Sequence, residues 1–210
     1  MKILITILCL ALVISCKKES NSAIQNESSK DSLTGKNDST QSNENPQNID
    51  EIKKEFAAIN DKLLAQKLDS TGFDYNCEEI EGDVHFYYEN KKLKMVKHFF
   101  ADSHFSSATQ YYVKNDTVFF IFKDDTVWQF DGGTPEKPIT KDSINQQRIY
   151  LQNGNPIECL KKSFIIRSVG QNVNPENVPN KEGTCDVKEL MTTYQTILNN
   201  KNSKNKVLCP

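Results

Sequence analysis

Between Phe73 and Ser168 the side chains alternate with a period of two, and short polar pairs interrupt the alternation. Val84, Phe86 and Tyr88 alternate with His85, Tyr87 and Glu89, and Phe119 and Ile121 with Val118, Phe120 and Phe122. Successive side chains of an extended chain point to opposite faces, so such a segment sorts its side chains as a strand does. Asn115-Asp116 and Asp124-Asp125 break the aromatic runs in the manner of hairpin turns. The pattern predicts strands near 73–77, 84–89, 93–100, 107–114, 117–123, 126–130, 146–152 and 157–166. Their connections are short, so neighbours are expected to pair antiparallel as a meander of seven or eight strands. Segment 117–123 is apolar at nearly every position, which places it centrally with both faces covered.

Helical periodicity flanks this region. Ile49, Ile52, Phe56, Ile59 and Leu63 recur at spacings of three and four, with Leu64 and Leu68 extending the stripe and Ser70-Thr71-Gly72 ending it. Asp50 and Glu51 stand at the positive end of that helix dipole. A second helix is predicted from Cys185-Asp186 to Asn199-Asn200, with Val187, Leu190, Met191, Tyr194, Ile197 and Leu198 as its stripe. The expected fold class is therefore α+β: a meander sheet packed with an N-terminal and a C-terminal helix. Residues 49–210 are long enough for one domain with a real core. A loop with Pro175 and Pro179, about 15 residues without predicted structure, separates sheet from helix and is the expected mobile or binding loop.

The N-terminus carries a different message. Lys2 precedes an apolar run from Ile3 to Ile14, then Ser15-Cys16 and at once Lys17-Lys18-Glu19. That run is too short for a membrane span and has the layout of a secretory signal. Val13-Ile14-Ser15-Cys16 resembles the lipobox of bacterial lipoproteins. The resemblance implies cleavage after residue 15, acylation of Cys16, and a protein held on a membrane by its fatty acids. Residues 16–48 are then the lipidated cysteine and a polar tether with too little apolar surface to fold. A flexible coil of that length spans about 30 Å. Signal and tether together lead us to expect the outer membrane of a diderm bacterium, with the domain periplasmic or surface-facing.

Cleavage removes one lysine and leaves 25 basic against 28 acidic residues. No basic run is long enough for a nucleic-acid footprint, so no nucleic-acid partner is expected. Four cysteines remain beside Cys16. Three full pairings are open, and Cys159 with Cys185, then Cys77 with Cys209, is the favoured one. Free thiols and a metal site built from all four cysteines are the rivals, although no C-x-x-C pair occurs.

An aromatic residue is repeatedly followed three positions later by Asn or Asp and then by an apolar residue. Tyr87 leads to Asn90 and Leu93, Tyr112 to Asn115 and Val118, Phe122 to Asp125 and Trp128, and Tyr150 to Asn153-Gly154 and Ile157. Tyr87–Leu93 and Tyr150–Leu160 resemble the hairpin units of MORN-type repeats, which implies one hairpin per unit.

No motif for catalysis or a cofactor is present. Gly-x-Ser-x-Gly is missing, Gly132-Gly133 lacks the helix and lysine of a phosphate loop, and Asp124-Asp125 reads as a turn. His85 and His98 flank a predicted hairpin turn and as cross-strand neighbours could hold zinc or copper with Asp102; the other reading is surface-facing strand positions, and no metal is assigned. The aromatic residues exceed what one sheet face needs. Either helices and loops cover both faces, or some aromatics form an exposed groove for a peptide, glycan or partner protein, with Trp128 and Tyr112 as candidate contacts. The expected function is a non-catalytic binding or scaffolding module that meets the membrane through its lipid and an envelope protein or glycan through its sheet. Two alternatives stand. One is an enzyme with an unrecognised site. The other is an inhibitor of a secreted enzyme, since Tyr75-Asn76-Cys77 and Ser106-Ser107-Ala108-Thr109-Gln110-Tyr111 faintly resemble the c-type lysozyme inhibitor lipoproteins.

Overall fold

The structure, a computed structural model, describes residues 44–202. Cys16, the signal, most of the expected tether and Cys209 lie outside the described residues. The first helix, α1 (Ile49–Leu64), starts where Asn48 accepts the Glu51 amide at 3.0 Å while the Glu51 carboxylate reaches back to Asn48 and to the Gln47 amide. One otherwise orphaned helix donor, the Glu51 amide, is thereby satisfied, and the carboxylate holds the segment just before the helix. The chain leaves the helix through Gln66, whose φ of 54° is the left-handed C-terminal cap position. The helix is therefore shorter than its apolar stripe. Leu64 is 82% exposed, and Ser70-Thr71-Gly72 belongs to the first strand. Residues expected to close the tether are tied to the domain: Pro46 is buried, Gln152 donates to the Gln47 carbonyl, and Asn115 donates to Asn45.

Eight antiparallel strands follow in chain order: β1 (Asp69–Cys77), β2 (Ile80–Glu89), β3 (Lys92–Ala101), β4 (Phe105–Lys114), β5 (Thr117–Thr134), β6 (Lys137–Gln152), β7 (Asn155–Arg167) and the short β8 (Lys181–Glu182). The meander follows from the turn chemistry. Asn90-Lys91, Asn115-Asp116 and Asn153-Gly154 all have positive φ at both central positions, the two-residue turn whose twist matches the strands it joins. Three of the four aromatic-to-Asn units are thus real hairpins. The fourth is not. Asp124 and Asp125 sit mid-strand in β5, paired with Ala108 and Ser107 on one side and with Gln146 and Asn145 on the other. Neither residue needs to turn, because side chains from neighbouring strands satisfy both carboxylates. Gly132-Gly133, expected in a loop, lies in the outer part of β5 beside a bulge.

The last helix, α2 (Val187–Asn200), is capped by Asp186, whose carboxylate accepts the Lys188 and Glu189 amides. The two helices cover opposite faces of the sheet. On one face α1 packs Ile52, Phe56 and Ile59 against Met95, Tyr112, Phe120 and Tyr150. On the other α2 packs Tyr194 and Ile197 against Phe86, Val96, Tyr111, Ile121 and Ile149. Strand β5 contributes to both layers, Val118 and Ile121 to one and Phe119 and Phe120 to the other. Most of the aromatic surplus is accordingly core. A disulfide joins Cys159 on β7 to Cys185 just before α2, with Cα atoms 6.0 Å apart. The segment from 168 to 186 is held as well: Lys162 donates to the Pro175 carbonyl at 2.9 Å, and Pro175–Asn177 form a 3-10 turn.

Candidate functional site: a polar cleft beside the C-terminal helix

The α2 face of the sheet changes character partway along the strands. Register places Phe86, Val96, Tyr111, Ile121, Ile149 and Cys159 in one cross-strand row, apolar throughout and roofed by α2. The next row on the same face is His98, Thr109, Lys123, Gln147 and Lys161. The row after it is Phe100, Ser107, Asp125, Asn145 and Ser163. Apolar gives way to polar within two residues on five adjacent strands. A cleft of about 520 Å³ opens between these rows and α2, walled on the helix side by Asp186, Glu189, Thr192, Thr193 and Thr196.

Its floor is organised. The Ser107 hydroxyl donates to Asp125 Oδ1 at 2.7 Å, and the Lys123 ammonium meets the other carboxylate oxygen at 2.6 Å. Ser107, Thr109 and His98 are all buried, His98 to 3% exposure. Buried polar side chains cost free energy unless bonded, and a fixed network of this kind aims the groups it holds. The Tyr111 hydroxyl donates to the Leu190 carbonyl at 3.1 Å and ties the floor to the helix wall.

One corner depends on a glycine. Tyr75, on the edge strand, reaches across Gly82, and its hydroxyl lies 2.7 Å from His98 Nε2. A Cβ at Gly82 would run into the Tyr75 ring. Burial lowers the His98 pKa to about 4, so its ring is neutral at neutral pH. Burial, helped by the charge of Asp83, pushes the Tyr75 phenol up to about 12.

The residues singled out from sequence fall elsewhere. Tyr112 is 1% exposed, seated under Phe56 of α1 and donating to Asn60, so it is a core residue and not a surface contact. Trp128 lies eight residues further along β5 than Phe120, the cross-strand partner of Tyr112, about 26 Å at strand rise. Its indole N–H donates to the Ser103 carbonyl and its ring rests on His104, in a half-buried position beside the β3–β4 connection. The two do not form one surface. His85 pairs with Lys97 while His98 pairs with Val84, which puts the histidines on opposite faces and removes the metal arrangement. Asp102 instead accepts the His104 and Phe105 amides, and these bonds hold its carboxyl below the usual range. Ser106–Tyr111, the segment with the inhibitor-like pattern, is mid-sheet in β4 and offers no loop. Among the cysteines expected to pair, Cys159 and Cys185 are joined, and Cys77 is also disulfide-bonded.

Sequence reasoning missed the cleft residues. A signal was present: in β4, β5 and β6 the positions sharing parity with Tyr111, Ile121 and Ile149 turn polar at Thr109 and Ser107, Lys123 and Asp125, and Gln147 and Asn145. No family model, curated protein or solved structure matches this chain.

Proposed function

We propose that this protein is a lipid-anchored binding module of the bacterial cell envelope that holds a glycan in the cleft between α2 and the sheet. The observation that carries the reading is the cleft between α2 and the polar positions of five strands, whose floor is bonded through Ser107, Lys123 and Asp125 where the neighbouring row is apolar and packed under the helix. A cleft of this size suits a small ligand. Its lining offers what sugar hydroxyls and amides bind: the hydroxyls of Thr192, Thr193 and Thr196, the Gln147 amide, ammonium groups and carboxylates, with the Phe100 ring as apolar surface.

Binding is favoured over catalysis because the one imidazole in the cleft is spent. Its Nε2 is bonded to Tyr75 and its proton affinity is low, so it is a poor base for a substrate. The Ser107 hydroxyl points its proton at a carboxylate already paired with Lys123. The anchor rests on the lipobox resemblance at Cys16. Among the described residues no helix is long and apolar enough to cross a membrane.

The test is saturation-transfer NMR on the full chain with peptidoglycan fragments, amino-sugar oligosaccharides and neutral oligosaccharides. Saturable binding to one class, weakened at least tenfold in Gln147→Ala and Lys161→Ala, is expected. A folded protein that binds none of them ends the glycan reading, and stoichiometric inhibition of a lysozyme would replace it. Mass spectrometry of the mature N-terminus tests the anchor: an acylated Cys16 is expected, and a free or uncut one rejects it.

A further inference from the structure

A second cavity lies at the end of the sheet where the β2–β3 and β4–β5 turns stand. Its volume is about 640 Å³, and among the described residues Lys91, Lys92, Lys94, Lys114 and Lys201 line it against two carboxylates, Glu55 and Asp116. The whole chain is slightly acidic, so this concentration of positive charge is local. Two of the amines are engaged: Lys114 pairs with Glu55 at 2.9 Å, and Lys94 lies 3.8 Å from Glu89. Lys91 and Lys92 are exposed, and Lys201 rests over the Tyr88 ring, 4.8 Å from its centroid.

Lysines on hairpin turns are ordinary sheet-end residues, and by themselves they mean little. The distinguishing feature is Tyr88. It lines the same cavity, and its hydroxyl is buried without a hydrogen-bond partner, the one such side-chain atom among the described residues. A buried donor without an acceptor is rare in a folded protein and calls for a missing partner. We propose that this cavity binds a phosphate-bearing anion, whose oxygens take the Lys92 and Lys201 ammonium groups and supply the acceptor that Tyr88 lacks. Ammonium groups bind phosphate as point charges, and low dielectric around the rings strengthens the attraction. The site is separate from the glycan cleft and does not depend on it.

The experiment titrates the full chain by calorimetry with inorganic phosphate, glycerol 3-phosphate and glycerophosphoglycerol, the deacylated head of an anionic lipid. Saturable binding is expected, falling at least tenfold in Lys92→Gln, Lys201→Gln and several-fold in Tyr88→Phe, and weakening with salt. Preference for the monoesters identifies a soluble phosphate as the ligand; preference for the diester identifies a lipid headgroup. Binding that survives both variants, or no binding of any probe by the folded chain, overturns the proposal. Circular dichroism melts of the variants separate loss of the site from loss of the fold.

Discussion

Tyr75 and His98 meet across a glycine: the phenol of the edge strand spans Gly82 on β2 to stand 2.7 Å from the imidazole on β3. The phenol gives the imidazole a buried hydrogen-bond partner, and burial keeps that histidine neutral.

That neutral state makes stability depend on pH. The folded pKa of His98, about 4, lies below the ordinary 6.5, so the unfolded chain takes up the proton first. The contribution is whole above pH 6.5, drains as pH falls from 6.5 to about 4, and is constant below. At 1.36 kcal/mol per unit the full effect is about 3 kcal/mol. Urea melts from pH 7.5 to 4 should show this fall, and a His98→Phe variant should lose most of it.

Gly82→Ala should destabilise the fold by about 1–3 kcal/mol, because the new methyl meets the Tyr75 ring in a packed site. Tyr75→Phe should cost a similar amount for another reason, an imidazole nitrogen buried without its partner. Combining the two should cost less than the sum, since both remove the same contact. Additive losses in denaturant melts would show that the two residues act separately.

The Cys159–Cys185 bridge closes a loop with a sequence separation of 26. Chain entropy alone makes such a link worth about 3–4 kcal/mol. The variant with both cysteines changed to alanine should melt at lower denaturant, and amides at the start of α2 should exchange faster while β4 and β5 stay protected. Uniform exchange throughout would argue against a local role in holding the cleft wall.

Where the first helix stops is open to test by substitution. Ile52→Ala removes a fully buried side chain under Met95 and Tyr112 and should cost about 2–5 kcal/mol. Leu64→Ala alters an exposed residue past the packed face and should stay within about 0.5 kcal/mol. Equal losses would return Leu64 to the apolar stripe.

Several features were legible in the sequence because they are local. Asn115-Asp116 and Asn153-Gly154 announce turns through side chains that tolerate positive φ, and Asp186 announces a helix start by its reach to two amides. Asp124-Asp125 misled for the same reason. Their local preference is a turn, yet Ser107, Lys123 and Gln146 satisfy their carboxylates inside a continuous strand. Tyr112 read as a contact for its size, but size does not say which helix covers it. Trp128 lies on a strand, as the alternation predicts, but its neighbours Ser103 and His104 come from a connection more than twenty residues away.

The sequence by itself determined the alternation of the strands, the meander order and the two amphipathic helices, because each depends on backbone preferences within a few residues. Only the tertiary structure decided which helix lies on which face, that Tyr112 is core, and that Thr109, Lys123, Gln147 and Lys161 share a row with His98. A row exists only once every register in the sheet is set, and one slipped residue on any strand would turn its members to the other face.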